Sequence, residues 1–69
     1  MTTLAKRLGK RISFIRRQKK MTSEQLAYEN GLSKGYLSDI ENGKKLPSLK
    51  VLEKISKALR VGMKDLFDF

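Results

Sequence analysis

The ten residues from Asn30 to Asp39, NGLSKGYLSD, interrupt a helical pattern and restart it within about three residues. Gly31 stands where the end of a helix needs a left-handed residue, and Ser33 can cap the start of a new helix. A glycine turn followed directly by a serine cap predicts a second helix that leaves the first at a steep angle. The stretch therefore predicts a helix-turn-helix over about residues 23–42, although an ordinary helical hairpin has the same spacing.

The residues before this stretch predict two helices. Thr2 or Thr3 can cap the first, over about residues 3–19. The run Thr22–Gln25 has the pattern of a capping box and begins the second, over about residues 23–30. Helical spacing places one apolar face of each helix inward. The residues on these faces are Leu4, Leu8, Ile12, Ile15, Leu26 and Ala27.

The residues after Ser33 predict three more helices. Gly43 ends the third helix, Ser48 caps the fourth, and a short fifth helix follows Gly62. No segment alternates apolar and polar residues for long enough to be a strand. The predicted fold class is all-α, with five short helices in a single domain over residues 1–69. Its inward residues in this half are Leu32, Leu37, Ile40, Val51, Leu52, Ile55, Ala58, Leu59, Leu66 and Phe67.

The composition limits the possible chemistry. The 69 residues include no cysteine and no histidine, which excludes disulfides, Cys/His zinc sites and nucleophiles paired with histidine. No paired acids and no glycine-rich phosphate loop stand out, so we expect no enzyme activity, no metal and no cofactor. No long apolar run follows Met1, which predicts neither a signal peptide nor a membrane span. We expect a cytoplasmic protein.

Positive charge is concentrated at the start of the chain. Sixteen Lys and Arg residues oppose seven Asp and Glu, for a net charge of +9. The first twenty residues contain eight of the Lys and Arg residues and no Asp or Glu. Such a segment favours a polyanionic partner, nucleic acid or an anionic membrane, over a merely solvated helix face. Separately capped helices with inward apolar faces argue against a membrane-surface peptide.

Several motifs occur in a fixed order between Leu8 and Phe67: Thr-x-x-Gln-Leu-Ala, Gly-Leu-Ser, Tyr-Leu-Ser, and Ile-Glu-Asn-Gly followed by Lys, Pro and Ser. Together they resemble the Cro/C1-type, or xenobiotic-response-element type, helix-turn-helix family of bacterial and phage regulators. The resemblance implies a lambda-repressor-like DNA-binding domain whose third helix enters the major groove. Two positions depart from the family: Phe14 replaces a polar residue, and Gly62 replaces a Ser-like cap of helix 5.

The resemblance implies that helix 3 reads bases. Lys34 is the best direct reader, because its ammonium can donate to guanine O6 and N7, although a phosphate contact is an equal alternative. The Asp39 carboxylate can accept a hydrogen bond from cytosine N4, or it can instead orient Lys34 or a neighbouring basic side chain of the protein. Gly35 costs about 1 kcal/mol in a helix, which indicates close approach of a partner or avoidance of a clash within the protein. The candidate base-reading residues are Lys34, Gly35, Tyr36, Ser38 and Asp39.

Phosphate contacts are expected around helix 3. The N-terminus of helix 2 offers free N–H groups, and the loop leaving helix 3 faces the other side of the groove. Arg16 and Glu41 match an Arg–Glu pair of the family and are predicted to be structural, joining helix 1 to the end of helix 3. Lys10 and Arg11 can add long-range attraction, and no direct DNA contact is assigned to them. The candidate phosphate-contacting residues are Thr22, Ser23, Ser33, Asn42, Lys44 and Lys45.

These expectations give two hypotheses. The first is a repressor or controller that binds double-stranded DNA as a homodimer on a palindromic operator. Its dimer contact is expected in helix 5 and the C-terminal tail, although some of those residues must close the core. The second is an antitoxin or adaptor whose main role is to bind another protein, suggested by Phe14, Met63 and Phe69. The residues of the predicted dimer contact are Val61, Met63, Leu66, Phe67 and Phe69.

Overall fold

The computed structural model describes residues 3–69, in which five α-helices follow one another without a strand. The all-α fold class is therefore confirmed. The second helix has its predicted bounds, and the first is one residue shorter at each end. The helices are α1 (Leu4–Gln18), α2 (Ser23–Asn30), α3 (Lys34–Glu41), α4 (Leu49–Leu59) and α5 (Met63–Leu66).

Side-chain caps determine where the first four helices begin. Each cap is a Ser or Thr hydroxyl that accepts the N–H three residues further on, at 3.0–3.2 Å. Such a cap stabilises a helix by about 1 kcal/mol. At α5, Gly62 has no side chain, and the Asp65 carboxylate instead accepts the Gly62 N–H at 2.8 Å. The four caps are Thr3, Thr22, Ser33 and Ser48, as predicted, whereas Thr2 lies outside the described residues.

One hydrophobic core holds the helices together, and most of the predicted inward residues belong to it. Leu32, Val51 and Ala58 pack against its edge and are half-buried. Two predictions are wrong. Leu4 is 52% exposed because it begins α1, one turn before the first buried position. Phe67 is 40% exposed because it follows buried Leu66 directly, and one residue turns a helix by about 100°. The core consists of Leu8, Ile12, Ile15, Leu26, Ala27, Leu37, Ile40, Leu52, Ile55, Leu59 and Leu66.

The turn between α2 and α3 has the predicted geometry. Gly31 is left-handed (φ 65°, ψ 25°), and its N–H donates to the Tyr28 carbonyl at 3.1 Å. The next N–H, of Leu32, donates to the Ala27 carbonyl at 2.9 Å. These bonds satisfy carbonyls that the end of α2 leaves open. The chain therefore turns within the three residues between α2 and α3, and Ser33 caps α3 directly.

Helix α1 supports α3 from behind. A Cβ atom on Gly9 would overlap the Ile40 carbonyl oxygen and come within 2.7 Å of the Glu41 carbonyl oxygen. Only a residue without a side chain lets the two backbones approach this closely. The C-terminal end of α3, at Ile40 and Glu41, is thus packed against α1 at Gly9. The N-terminal residues of α3 do not take part in this close contact with Gly9.

Candidate nucleic-acid interface

Helix α3 presents a small polar face to the outside. Leu37 and Ile40 are fully buried and anchor the helix in the core. The opposite face has no large apolar side chain, so it lacks the character of a packing surface. The residues on it are Lys34, Gly35 and Ser38, which are exposed, with Tyr36 and Asp39 half-buried beside them.

Gly35 faces open space. A Cβ built on Gly35 finds no atom within 4 Å, and its φ is not in the left-handed region. Neither a clash within the described chain nor the backbone conformation therefore requires glycine here. Of the two explanations given by the sequence, avoidance of an internal clash is wrong. The space that glycine leaves free lies outside the protein.

Two charged residues of α3, Lys34 and Asp39, have exposed partners. Lys34 Nζ lies 3.7 Å from Glu24 Oε1, and both side chains are more than half exposed. Exposed pairs of this kind contribute roughly 0–1 kcal/mol, so Lys34 can leave Glu24 for another acceptor at little cost. Asp39 Oδ2 lies 3.6 Å from Lys45 Nζ. Asp39 therefore orients Lys45 rather than Lys34.

The loop that leaves α3 is held against the helix end. Asn42 Nδ2 donates to Ser38 Oγ at 3.2 Å, and the Lys44 N–H donates to the Asp39 carbonyl at 2.8 Å. Lys45 Nζ also lies 5.3 Å from the centroid of the Tyr36 ring, within the range of a cation–π contact. The candidate base-reading and loop residues thus form one continuous surface. Within it Lys44 has no acidic partner among residues 3–69.

The N-terminus of α2 offers two free donors. The Thr22 N–H donates to Gln25 Oε1 at 2.8 Å, and the Gln25 N–H donates to Thr22 Oγ1 at 3.0 Å. The N–H groups of Ser23 and Glu24 lie between these two bonds and have no acceptor in the part of the chain that the structure describes. Free N–H groups at the positive end of a helix can bind an anion.

Arg16 and Glu41 form a bidentate ion pair behind this surface. Arg16 Nε donates to Glu41 Oε2 at 2.8 Å, and Nη2 donates to Oε1 at 3.1 Å. The third nitrogen, Nη1, donates to the Met21 carbonyl at 2.8 Å. Each side chain is only 11% exposed. One guanidinium thus connects α1, the segment between α1 and α2 at Met21, and the end of α3.

Arg11 holds α5 against α1. Its Nε donates to the Asp65 carbonyl at 2.8 Å, and its Nη2 lies 3.7 Å from Asp68 Oδ2. Arg11 therefore has a structural role inside the protein that the sequence analysis did not predict, and its long-range attraction to DNA stays a prediction. Its main partner is a backbone carbonyl 54 residues away, which leaves no signal in the sequence. The role of Gly9 was also missed, although a glycine between Leu8 and Ile12 is a signal of close helix packing.

The predicted dimer surface is partly inside the protein. Leu66 is fully buried, so its assignment to a dimer contact is wrong: it closes the core. Val61 and Met63 are half-buried against the same core. Phe67 and Phe69 remain exposed, with ring centroids 6.4 Å apart.

No other kind of site is evident in residues 3–69. No group of three or more acidic side chains is placed there to hold a metal ion. Nor does any helix over these residues have the length and apolar character needed to cross a membrane.

Comparison with known proteins identifies the family. Residues 12–66, from the middle of α1 to the end of α5, match the helix-turn-helix family HTH_3. The chain belongs to this family. The predicted Cro/C1-type membership is therefore confirmed. Among curated relatives, this helix-turn-helix protein is 50% identical over 62 residues to the control protein C.BamHI of Bacillus amyloliquefaciens, covering 88% of this chain and 76% of that protein.

Solved structures share the same fold. The restriction–modification controller protein C.AhdI from Aeromonas hydrophila superposes with a TM-score of 0.89 at 30% identity, covering 91% of this chain and 96% of that one. SinR, a master regulator for biofilm formation solved in complex with DNA, gives a TM-score of 0.82 at 39% identity, covering 88% of this chain and 98% of that one.

Proposed function

We propose that this helix-turn-helix protein is a transcription regulator of the repressor or controller type that binds specific sequences in double-stranded DNA. The proposal rests on the outward face of α3. Its residues are small or polar and accessible, while Leu37 and Ile40 on the opposite face anchor the helix in the core. The DNA-bound structure of SinR and the control protein C.BamHI support the assignment.

The base-reading roles follow from the exposed chemistry of α3. Lys34 exchanges Glu24 for guanine O6 and N7, and Ser38 donates to or accepts from base edges. Gly35 lets the backbone approach the bases. Asp39 accepts from cytosine N4 or holds Lys45, and Tyr36 touches a thymine methyl or a phosphate.

Phosphate contacts on both sides of α3 fix the protein on the duplex. On one side, a phosphate binds the free N–H groups at the start of α2, next to the Thr22 and Ser23 hydroxyls and close to Ser33. On the other side, Asn42, Lys44 and Lys45 contact the opposite strand. Lys45 must then leave Asp39, which costs little because the Lys45 side chain is more than half exposed and lies 3.6 Å from the half-buried Asp39 carboxylate.

The protein acts in the cytoplasm as a homodimer on a palindromic operator, with half-sites about 34–36 Å apart. Exposed Phe67 and Phe69 supply the apolar part of the contact between copies. The same phenylalanines would serve an antitoxin or adaptor that binds another protein, so the first test concerns DNA.

The test begins with selection of bound duplexes from random DNA. The selected duplex and a scrambled duplex are then titrated with the protein from about 50 to 200 mM salt. We expect affinity for the selected duplex at least about 10³-fold above the scrambled one, with both falling steeply as salt rises. Equal affinity for the two duplexes, or affinity insensitive to salt, would contradict the proposal.

A further inference from the structure

A basic groove lies between α1 and the loop that leaves α3. Three of its cations come from the outer face of α1: Lys6, Lys10 and Arg17, called here the α1 cation row. All three are exposed, and within residues 3–69 none forms an ion pair. The row therefore holds three uncompensated positive charges. The residues that line the groove are Lys6, Lys10, Ser13, Phe14, Arg17, Glu41 and Asn42.

The α1 cation row adjoins the surface assigned to DNA. Gly43, in the loop after α3, packs directly on the first turns of α1. A Cβ on Gly43 would lie 2.7 Å from Lys6 Cα. Lys6 is thus the immediate spatial neighbour of the loop that carries Asn42 and Lys44, and Lys10 follows one helical turn along.

Among the described residues that line the groove, the one acid is Glu41, and both of its carboxylate oxygens accept hydrogen bonds from Arg16. Half-buried Ser13 adds a hydroxyl donor to the lining of the groove. Phe14, which is 53% exposed, adds one aromatic ring to this lining. The unpaired cations and the hydroxyl around it, with the one acid already compensated, fit a chain of phosphates.

We infer that the α1 cation row binds DNA phosphates that flank the base pairs read by α3. The inference rests on the proposed function and extends it. The backbone contact begins at the loop after α3, continues over Lys6 and Lys10, and reaches DNA beyond the half-site. Because phosphates carry no sequence information, the row adds affinity and salt dependence without changing the preferred sequence.

The test compares two double variants on two duplexes. K6A/K10A removes two cations of the row. K54A/K57A removes two exposed lysines of α4 that lie beside the C-terminal end of α2, and serves as a charge-matched control. One duplex carries the selected operator with extended flanks, and the other is trimmed to the operator. Circular dichroism confirms that each variant is folded.

We expect K6A/K10A to reduce the slope of log K against log salt by about two on the extended duplex, since each phosphate contact contributes about 0.9. The slope on the trimmed duplex and the preferred sequence should stay as in the unmodified protein. K54A/K57A should leave both slopes unchanged. An unchanged K6A/K10A slope on the extended duplex, or an equal loss in the control, would overturn the inference and leave the proposed function intact. Failure of the unmodified protein to prefer the selected duplex would overturn both.

Discussion

Gly9 and Gly35 are glycines inside helices with opposite surroundings. At Gly9 a Cβ would overlap backbone oxygens of α3, whereas at Gly35 it would meet nothing within 4 Å. A glycine in a helix costs roughly 0.5–1 kcal/mol relative to alanine. At Gly9 close packing of α1 on α3 compensates that cost. At Gly35 nothing inside the described chain does, which is the pattern expected where a partner approaches.

The Gly35→Ala variant should therefore separate folding from binding. We expect the free energy of unfolding in urea to rise by about 0.5–1 kcal/mol, because alanine favours the helix and meets no neighbour. Affinity for the selected operator should fall at least about tenfold, because the methyl group occupies the space reserved for base edges. The control is Gly9→Ala, which should lose about 1–3 kcal/mol of stability or more through overpacking. A Gly35→Ala protein that bound its operator normally would show that no base edge comes close there.

Lys34 and Lys44 should differ in what they contribute to binding. Lys34→Ala should cost roughly 1–3 kcal/mol of operator binding and relax the preference at one base pair, because a base contact is lost. Lys44→Ala should weaken all sequences alike and lower the salt slope by about one, because a phosphate contact is lost. Titration of operator variants with each protein measures both effects. If Lys34→Ala weakened every duplex equally, Lys34 would be a phosphate contact, the alternative that the sequence left open.

At the scale of elements, the orientation of α3 depends on the ion pair between Arg16 and Glu41. Removing one partner of a buried pair leaves the other charge uncompensated, which costs about 3–5 kcal/mol. We expect Glu41→Ala to lower the free energy of unfolding by an amount near this range, since each side chain is only 11% exposed. Urea denaturation measures the loss. Arg16→Ala combined with Glu41→Ala should cost less than the sum of the single changes, and additive losses would argue against direct coupling.

The elements themselves were predictable because their signals are local. Each cap of α1 to α4 needs only a hydroxyl and an N–H three residues away, and the turn needs only Gly31 in a left-handed conformation. Contacts between segments that are distant in the chain produce little recognisable pattern in the sequence, so they were not predicted. Arg11 donates to a backbone carbonyl at residue 65, where any residue type would supply the acceptor. Phe67 looked like a core residue because apolar character alone does not show which side of a one-turn helix faces inward.

The sequence predicts which residues of α3 point outward, but it does not predict which side chains they contact. Burial of Leu37 and Ile40 determines which residues of α3 point outward, and helical spacing reveals that pattern. The partners of those residues depend on side chains from other elements. Lys34 meets Glu24 of α2, and Asp39 meets Lys45 of the following loop. Neither pairing follows from spacing within α3.

The size of the whole molecule bears on how it reads DNA. Its longest extent is 31 Å between Cα atoms, shorter than the 34–36 Å between the centres of neighbouring half-sites. Under the proposed function, a single copy with one α3 reads one half-site, so binding to a palindrome requires two copies. The contact between copies must use surface that folding leaves free. Phe67 and Phe69, at 40% and 44% exposure, meet this condition, whereas fully buried Leu66 does not.

The double variant F67A/F69A should consequently weaken self-association without unfolding the protein. Sedimentation equilibrium over a range of concentrations should show a monomer–dimer equilibrium shifted toward monomer, while the urea midpoint changes little because neither ring lies in the core. On palindromic DNA the variant should bind with lower cooperativity, yet its affinity for an isolated half-site should be unchanged. Tyr28→Ala removes an aromatic side chain that is 87% exposed on α2, and it should alter none of these quantities. A dimer as tight in F67A/F69A as in the unmodified protein would show that the two rings do not make the contact, and would leave half-buried Val61 and Met63 as the apolar residues of the predicted surface still to be tested.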